Sequence, residues 1–152
     1  MDNDSTDGTV AMVQNEFPEV AVHMLQENIG FAQASNFAAM QSEGKWILLL
    51  NPDTEVQPEA IDALVDFAEE NPAPGIYGGR TMFTNGQVNV GSCWGLPTPW
   101  SVTSKAFGLS GFFSTSEFFN SERMGEWPRD SIREVGYVVG CFMLVRRELW
   151  DK

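Results

Sequence analysis

Two residues apart in the run Leu50-Asn51-Pro52-Asp53 stand an amide and a carboxylate, oxygen donors of the kind hard divalent cations take. The run closes an apolar stretch, Trp46–Leu50, bounded by Gly44-Lys45 before it and by Asn51-Pro52 after it. Such a stretch predicts a strand buried on both faces. Proline cannot donate to a ladder and Asn-Pro favours a turn, so the strand is expected to stop there. Asp53 then lies just past the carboxyl end of a buried strand, where open α/β sheets bind ligands. The plainer alternative is that Asp53 only caps the turn and the helix that follows. Strand context alone leaves both open.

A second set of oxygen donors fills the first nine residues, MDNDSTDGT. Asn3, Ser5, Asp7 and Gly8 match positions 1, 3, 5 and 6 of a calcium-loop pattern. Position 12 is Gln14 rather than the bidentate glutamate, so the pattern lacks the ligand that completes such a site. The competing reading is a turn-and-cap cluster, with Ser5 or Asp7 capping a helix through Val10–Phe17. His23, alone inside the apolar run Val20–Leu25, reads as a packed or edge residue. Cys93 and Cys141 lie far apart without metal-type spacing and read as a reduced cytosolic pair.

The elements that must position these groups follow from the rest of the chain. Val20–Leu25 is apolar enough for a strand. Glu27–Ala32 turns into a helix marked by Phe31, Ala34 and Ala38, with Gly44 where a terminal glycine belongs. Pro58–Glu70 is the clearest helix: Pro58 fits its first position, and Ile61, Leu64, Val65 and Ala68 form one stripe. Asn71-Pro72 and Pro74-Gly75 end it. Gly75–Phe83 predicts a strand whose Gly78-Gly79 admits a close approach, and Thr84–Gln87 a hairpin-type turn. Alternating helices and strands predict βαβ units and a parallel sheet.

The stretch Gly91–Pro128 has a different character. Trp94, Trp100, Phe107, Phe112, Phe113, Phe118, Phe119 and Trp127 stand among Gly, Ser, Thr and Pro with weak periodicity. Three readings compete. The first is an acceptor-side loop or lid. The second is a membrane-docking surface, for which Lys105 and Arg123 are a thin basic complement. The third is a loose subdomain whose aromatics pack on the sheet, which asks least of the residues. Glu134–Val145 reads as strand, glycine break at Gly140, strand, and Arg146–Trp150 begins a helix.

Length and charge set the outer limits. The 152 residues, 43% of them hydrophobic, suffice for one domain with a core. A formal charge of −12 argues against a nucleic-acid groove. It also means that a bound diphosphate would need a metal ion to offset its charge. There is no run of about 18 apolar residues and no signal-peptide pattern. The expected location is cytoplasmic, extending to the inner face of the membrane, with no transmembrane segment.

Four pieces line up in order: DNDSTDGT at 2–9, NIGFAQASN at 28–36, LNPD at 50–53 and VGCFMLVRR at 139–147. Together they resemble the family 2 glycosyltransferases of the GT-A fold, in particular the bacterial rhamnosyltransferase-like branch. The resemblance implies an α/β, Rossmann-like, mostly parallel sheet flanked by helices, incomplete here. It implies one partial domain over 1–152, with 1–90 handling the nucleotide sugar and 91–152 on the acceptor side. It also implies specific residues. Asp2 would contact the nucleobase, with Asn3 and Ser5 shaping that loop, and Asn28 and Gly30 would line the donor pocket. Asp53 matches the last carboxylate of the DXD-type motif that binds metal and diphosphate, as Mg²⁺ or Mn²⁺. Asn51 takes the place of that motif's first Asp, and Gly140-Cys141 would face sugar and acceptor. Many relatives carry Arg before the Asn matching Asn36, where this chain has Ser35, so the base cannot be chosen among UDP, dTDP and GDP.

The implied reaction is inverting transfer of a hexose from a nucleotide-diphosphate sugar to a glycan or lipid-linked acceptor. The leaving diphosphate gains charge that a metal at Asp53 would stabilise, and the attacking hydroxyl needs a general base. In the family that base follows the strand matching Phe142–Val145 after a short helix and a glycine-rich turn. It is therefore expected beyond Lys152, with Glu148 and Asp151 too early. DNDSTDGT normally follows a first strand, so the chain reads as the middle of a transferase. Expected consequences are inactivity as it stands and self-association through an unpaired edge such as Val20–Leu25. The alternative is a non-catalytic binding or assembly module of the same fold.

Overall fold

The structure is a computed structural model that describes residues 1–124 and 127–152. It divides into two units, Met1–Lys45 and Trp46–Lys152.

The first unit carries helices α1, Thr9–Glu16, and α2, Phe31–Met40. Asp7 accepts from the Thr9 N–H at 3.0 Å, so the acidic cluster does help to start α1. Ala34 and Ala39 are buried on α2, whereas Phe31, Phe37 and Met40 remain exposed. α2 ends at Gln41 rather than near Gly44, its last N–H groups bonding back to Phe37, Ala38 and Ala39. Val20–Leu25 is not the strand its apolarity predicts. Its one pairing is a parallel bridge, Asp2 to Met24, in which Asp2 N–H donates to His23 and Leu25 N–H donates to Asp2. A ladder extends only as far as its neighbour does, and here that neighbour is a single residue.

The second unit is built on β1, Trp46–Leu50, as predicted. Ile47 is buried, but Leu50 is exposed, so burial on both faces gives out at the end that carries Asn51. Helix α3, Ala60–Glu70, buries Leu64 and Ala68. It starts two residues after Pro58 because Glu59 adopts a left-handed φ of 62° and Gln57–Ala60 forms a turn. The chain returns as β2, Ile76–Gly78, shorter than the predicted Gly75–Phe83. Beyond it Met82 and Val88 bridge across a tight turn over residues 83–87, the expected hairpin. Then come β3, Cys93–Trp94; α4, Pro99–Ala106; α5, Leu109–Phe112; β4, Tyr137–Val138; β5, Phe142–Arg146; and α6, Arg147–Trp150.

The main sheet has the order β1-β5-β2, and both ladders are antiparallel. This corrects the parallel sheet expected from helix–strand alternation. α3 does bring β1 and β2 to run the same way, but one strand apart. β5 enters that gap from the opposite direction, with Leu48 opposite Leu144 and Tyr77 on its other side. The core is Leu64, Ala68, Tyr77, Phe142 and Leu144, flanked by Trp46, Leu48 and Phe67. Tyr77 meets Trp46 and Phe67 edge-on, and its hydroxyl donates to Asn71 at 2.6 Å, so a polar tip is satisfied inside an apolar centre. Gly78 and Gly79 are needed for packing. A Cβ on either would stand 2.3 Å from Val138 or 2.4 Å from the Phe142 ring. The close approach is thus by side chains rather than backbone.

β3 and β4 form a separate two-stranded sheet. The aromatics of 91–128, all of them among the described residues, do not join the main core. Trp100, Phe113, Phe118 and Phe119 pack instead on one another, at centroid distances of 4.7–6.0 Å. Sequence reading also missed α4. Thr98 and Ser101 cap it reciprocally, with Pro99 at its first turn.

Candidate functional site

Each unit gathers part of the predicted set. In the first, the side chain of Asn3 joins two loops. Its Nδ2 donates to Asn28 Oδ1 at 3.0 Å, and its Oδ1 accepts from the Ile29 N–H at 3.0 Å. Asn28 Oδ1 also takes the Gly30 N–H at 3.0 Å. Gly30 holds φ 82° and ψ 162°, a conformation open essentially to glycine alone, and α2 begins directly after it. Asp2 lies in the same loop system and accepts from the Ser5 N–H at 3.0 Å. Hydrogen bonds from the Ser5 side chain and then its N–H hold the Asp2 carboxyl below the usual carboxylate range. Asp2, Asn3, Ser5, Asn28 and Gly30 are therefore brought together.

These contacts sort the roles. Both ends of the Asn3 amide are engaged in joining loops, so it acts through position. α2 has neither a side-chain cap nor an acidic residue in its first turn. Its leading N–H groups suit an anionic group. The calcium-loop reading fares worse, since Asn3 is committed to Asn28 and Ile29, and Asp7 to the N–H and hydroxyl of Thr9. Thr9 also lowers the Asp7 pKa through those same bonds, hydroxyl first.

In the second unit, Asn51 N–H donates to the Cys141 carbonyl at 3.0 Å, one step beyond the Leu50–Phe142 pair. Asn51, from the predicted donor set, and Cys141, from the acceptor set, thus face each other, with Gly140 next in line. Asn51 to Thr54 is a β-turn closed by Thr54 N–H to Asn51 O at 3.1 Å, with Pro52 and Asp53 at its centre. Asp53 is exposed at the tip and caps no helix, because α3 begins at Ala60. Among the described residues its carboxylate has no hydrogen-bonding or ionic partner. Nor, among them, do three His, Cys, Asp or Glu gather into a metal cluster. A lone open carboxylate does not make an all-protein cage. It fits the other mode, in which Mg²⁺ keeps its waters and shares one carboxylate with substrate phosphates.

Two further residues are placed by topology. Arg80, exposed, follows β2 at the same end of the sheet as Asn51, one strand removed from β1 or roughly 10 Å. Sequence reading passed over it, because only the register shows that Gly78 and Leu49 both pair with Met143. Glu148 and Asp151 follow β5 at the opposite end, roughly 14 Å of strand away from Asn51. They cannot serve a hydroxyl bound beside Asp53.

A family model described as glycosyl transferase family 2 matches residues 1–152. The chain belongs to this family. For a family 2 glycosyltransferase the implied fold is GT-A, an α/β fold, and the helices and small antiparallel sheets described above are its form here. Two curated proteins of Mycobacterium tuberculosis, from strains CDC 1551 / Oshkosh and ATCC 25618 / H37Rv, are similar. Each is described as an N-acetylglucosaminyl-diphospho-decaprenol L-rhamnosyltransferase and is 28% identical over 162 residues, 99% of this chain and 52% of its own length. The chain spans about half the length of the curated relatives it matches. No solved structure matches it significantly. Among the described residues, no helix of this chain is long and apolar enough to cross a membrane.

Proposed function

We propose that this chain handles the nucleotide sugar in an inverting transferase that moves a hexose, rhamnose first among candidates, to a lipid-linked glycan at the cytoplasmic face of the membrane. The observation that carries this reading is the family 2 match along the whole chain. The similar rhamnosyltransferases support the choice of sugar and acceptor class. In this reading the Asp2 loop takes the base, and Asn28, Gly30 and the start of α2 line the donor pocket. Asp53, with Asn51 beside it, would hold a Mg²⁺ or Mn²⁺ ion that as a Lewis acid stabilises the charge on the departing diphosphate. Arg80 adds positive charge at that end of the sheet. Gly140 and Cys141 face the sugar and the acceptor.

The test is titration of UDP, dTDP and GDP into the chain with and without Mn²⁺, in wild type and Asp53→Asn. Wild type should gain affinity with metal. The variant should lose about tenfold or more of that gain, the scale of one charge-assisted contact, with an unchanged circular dichroism spectrum. An Asp53→Asn protein that keeps its full metal-dependent gain would remove Asp53 from the role. Transfer from nucleotide-activated rhamnose to a polyprenyl-diphospho-N-acetylglucosamine then tests turnover. A second reading is binding without turnover. Nucleotide binding without transfer would support it.

A further inference from the structure

From Asn71 to Ser116 the chain has no Asp or Glu, although it has 21 acids and a formal charge of −12. Within that stretch α4 and α5 pack together and present large apolar side chains to solvent. Phe112 is 86% exposed, Phe107 76% and Phe118 65%, with Val102, Phe113 and Trp100 also exposed. Ring contacts make part of this set continuous: Trp100 meets Phe118, and Phe118 meets Phe119, which stacks on Phe113. The surface is also held in shape. Trp100 Nε1 donates to the Phe118 carbonyl at 2.8 Å, and Asn120 Nδ2 donates to the Ser110, Phe113 and Ser114 carbonyls.

Two charged pairs belong to this region. Lys105, the one ionised residue of α4 and α5, pairs with Glu122, and Glu117 lies 3.6 Å from Arg133. A face of Phe and Trp whose helices carry one ionised residue, itself paired, can enter the boundary between lipid headgroups and acyl chains with little loss of ionic hydration. It is also the part of an acidic protein that an anionic surface repels least. We propose that the α4–α5 face docks on a lipid bilayer through Phe107, Phe112 and Phe118. Insertion of aromatic rings, rather than attraction to anionic headgroups, drives that binding. The proposal deepens the lipid-linked acceptor reading, on which it rests for its purpose, but its test needs neither donor nor acceptor.

The experiment is flotation of the full chain with phosphatidylcholine vesicles, and with vesicles containing a minority of phosphatidylglycerol. Wild type should float with phosphatidylcholine alone, and molar salt should leave this binding intact. Phosphatidylglycerol should add nothing at low salt, because the rest of the protein is acidic. Phe107→Ser with Phe112→Ser, both exposed and outside the core, should lower the partition coefficient at least about tenfold with an unchanged circular dichroism spectrum. Absence of flotation, flotation that requires phosphatidylglycerol and fails in salt, or equal flotation of the double variant would each overturn the proposal. So would a stable dimer that the double variant dissolves, which would make a second copy the occupant of this face. Flotation without any transfer activity would leave the docking proposal standing and count against the enzymatic reading alone.

Discussion

The loops of the first unit and the sheet end of the second hold comparable sets of polar residues by different means. Around Asn3 and Asn28 the geometry comes from side chains, with two amides and one carboxylate bonding to backbone N–H groups and to each other. Around Asn51 and Cys141 it comes from the backbone, as the last rung of a ladder seated on an apolar core. The first kind of site depends on residue identity at each position. The second tolerates changes at the tip but depends on packing far from it. Asp53, free at the end of such a ladder, is the kind of residue that can be exchanged without harm to the fold.

The largest effect that should sharpen this contrast lies away from both sites. Leu144 is buried at the centre of β5, and Leu144→Ala should cost about 2–5 kcal/mol in denaturant unfolding. A cost near zero would mean that the ladder is not held by its core. Next comes a place where the second unit uses side chains after all. Glu122 is buried and bonds Lys105 and Ser101, and these two, Lys105 first, lower its pKa from 4.5. Because the folded value is the lower one, the carboxylate stabilises the fold above about pH 4.5. That contribution is lost as pH falls through the folded value. Glu122→Gln should cost about 1–3 kcal/mol at neutral pH and flatten this part of the acid profile, read by urea unfolding at a series of pH values. The smallest effect is in the loops. Asn28→Ala should cost about 0.5–1.5 kcal/mol and speed hydrogen exchange at Ile29 and Gly30, while Asn28→Asp keeps the acceptor and retains most of that protection. Equal exchange in both variants would break the comparison.

What the sequence disclosed follows the range of the forces involved. β1, the start of β5, the 83–87 hairpin and the Pro52 turn depend on neighbouring residues, and all are readable from them. α3 is misplaced by two residues because a left-handed Glu59 has no sequence signal. α4 was missed although Thr98, Pro99 and Ser101 spell its start, since the surrounding aromatics hid its period. Strand neighbours are a different matter. Nothing in Trp46–Leu50 says that its partner lies almost a hundred residues on, so helix–strand alternation suggested parallel pairing that β5 forestalls. The same limit applies to the site. Asp2 through Ser5 and Asp53 stand out by type, whereas the Asn3–Asn28 joint, Arg80 and the Glu122 pairing exist only once the chain has folded.

The place of β5 between β1 and β2 also bears on how the protein is made. A ribosome delivers β1 and β2 early and β5 late, and neither early strand has a ladder partner until Phe142–Arg146 has emerged. Through that interval two apolar strands travel with open edges, the state in which nascent chains associate wrongly and holding chaperones bind. Pairing across so long a stretch of chain is also intrinsically slow, because the loop must close before any contact rewards it. The sheet therefore forms only once β5 has emerged, and a pause before that segment lengthens the period of risk.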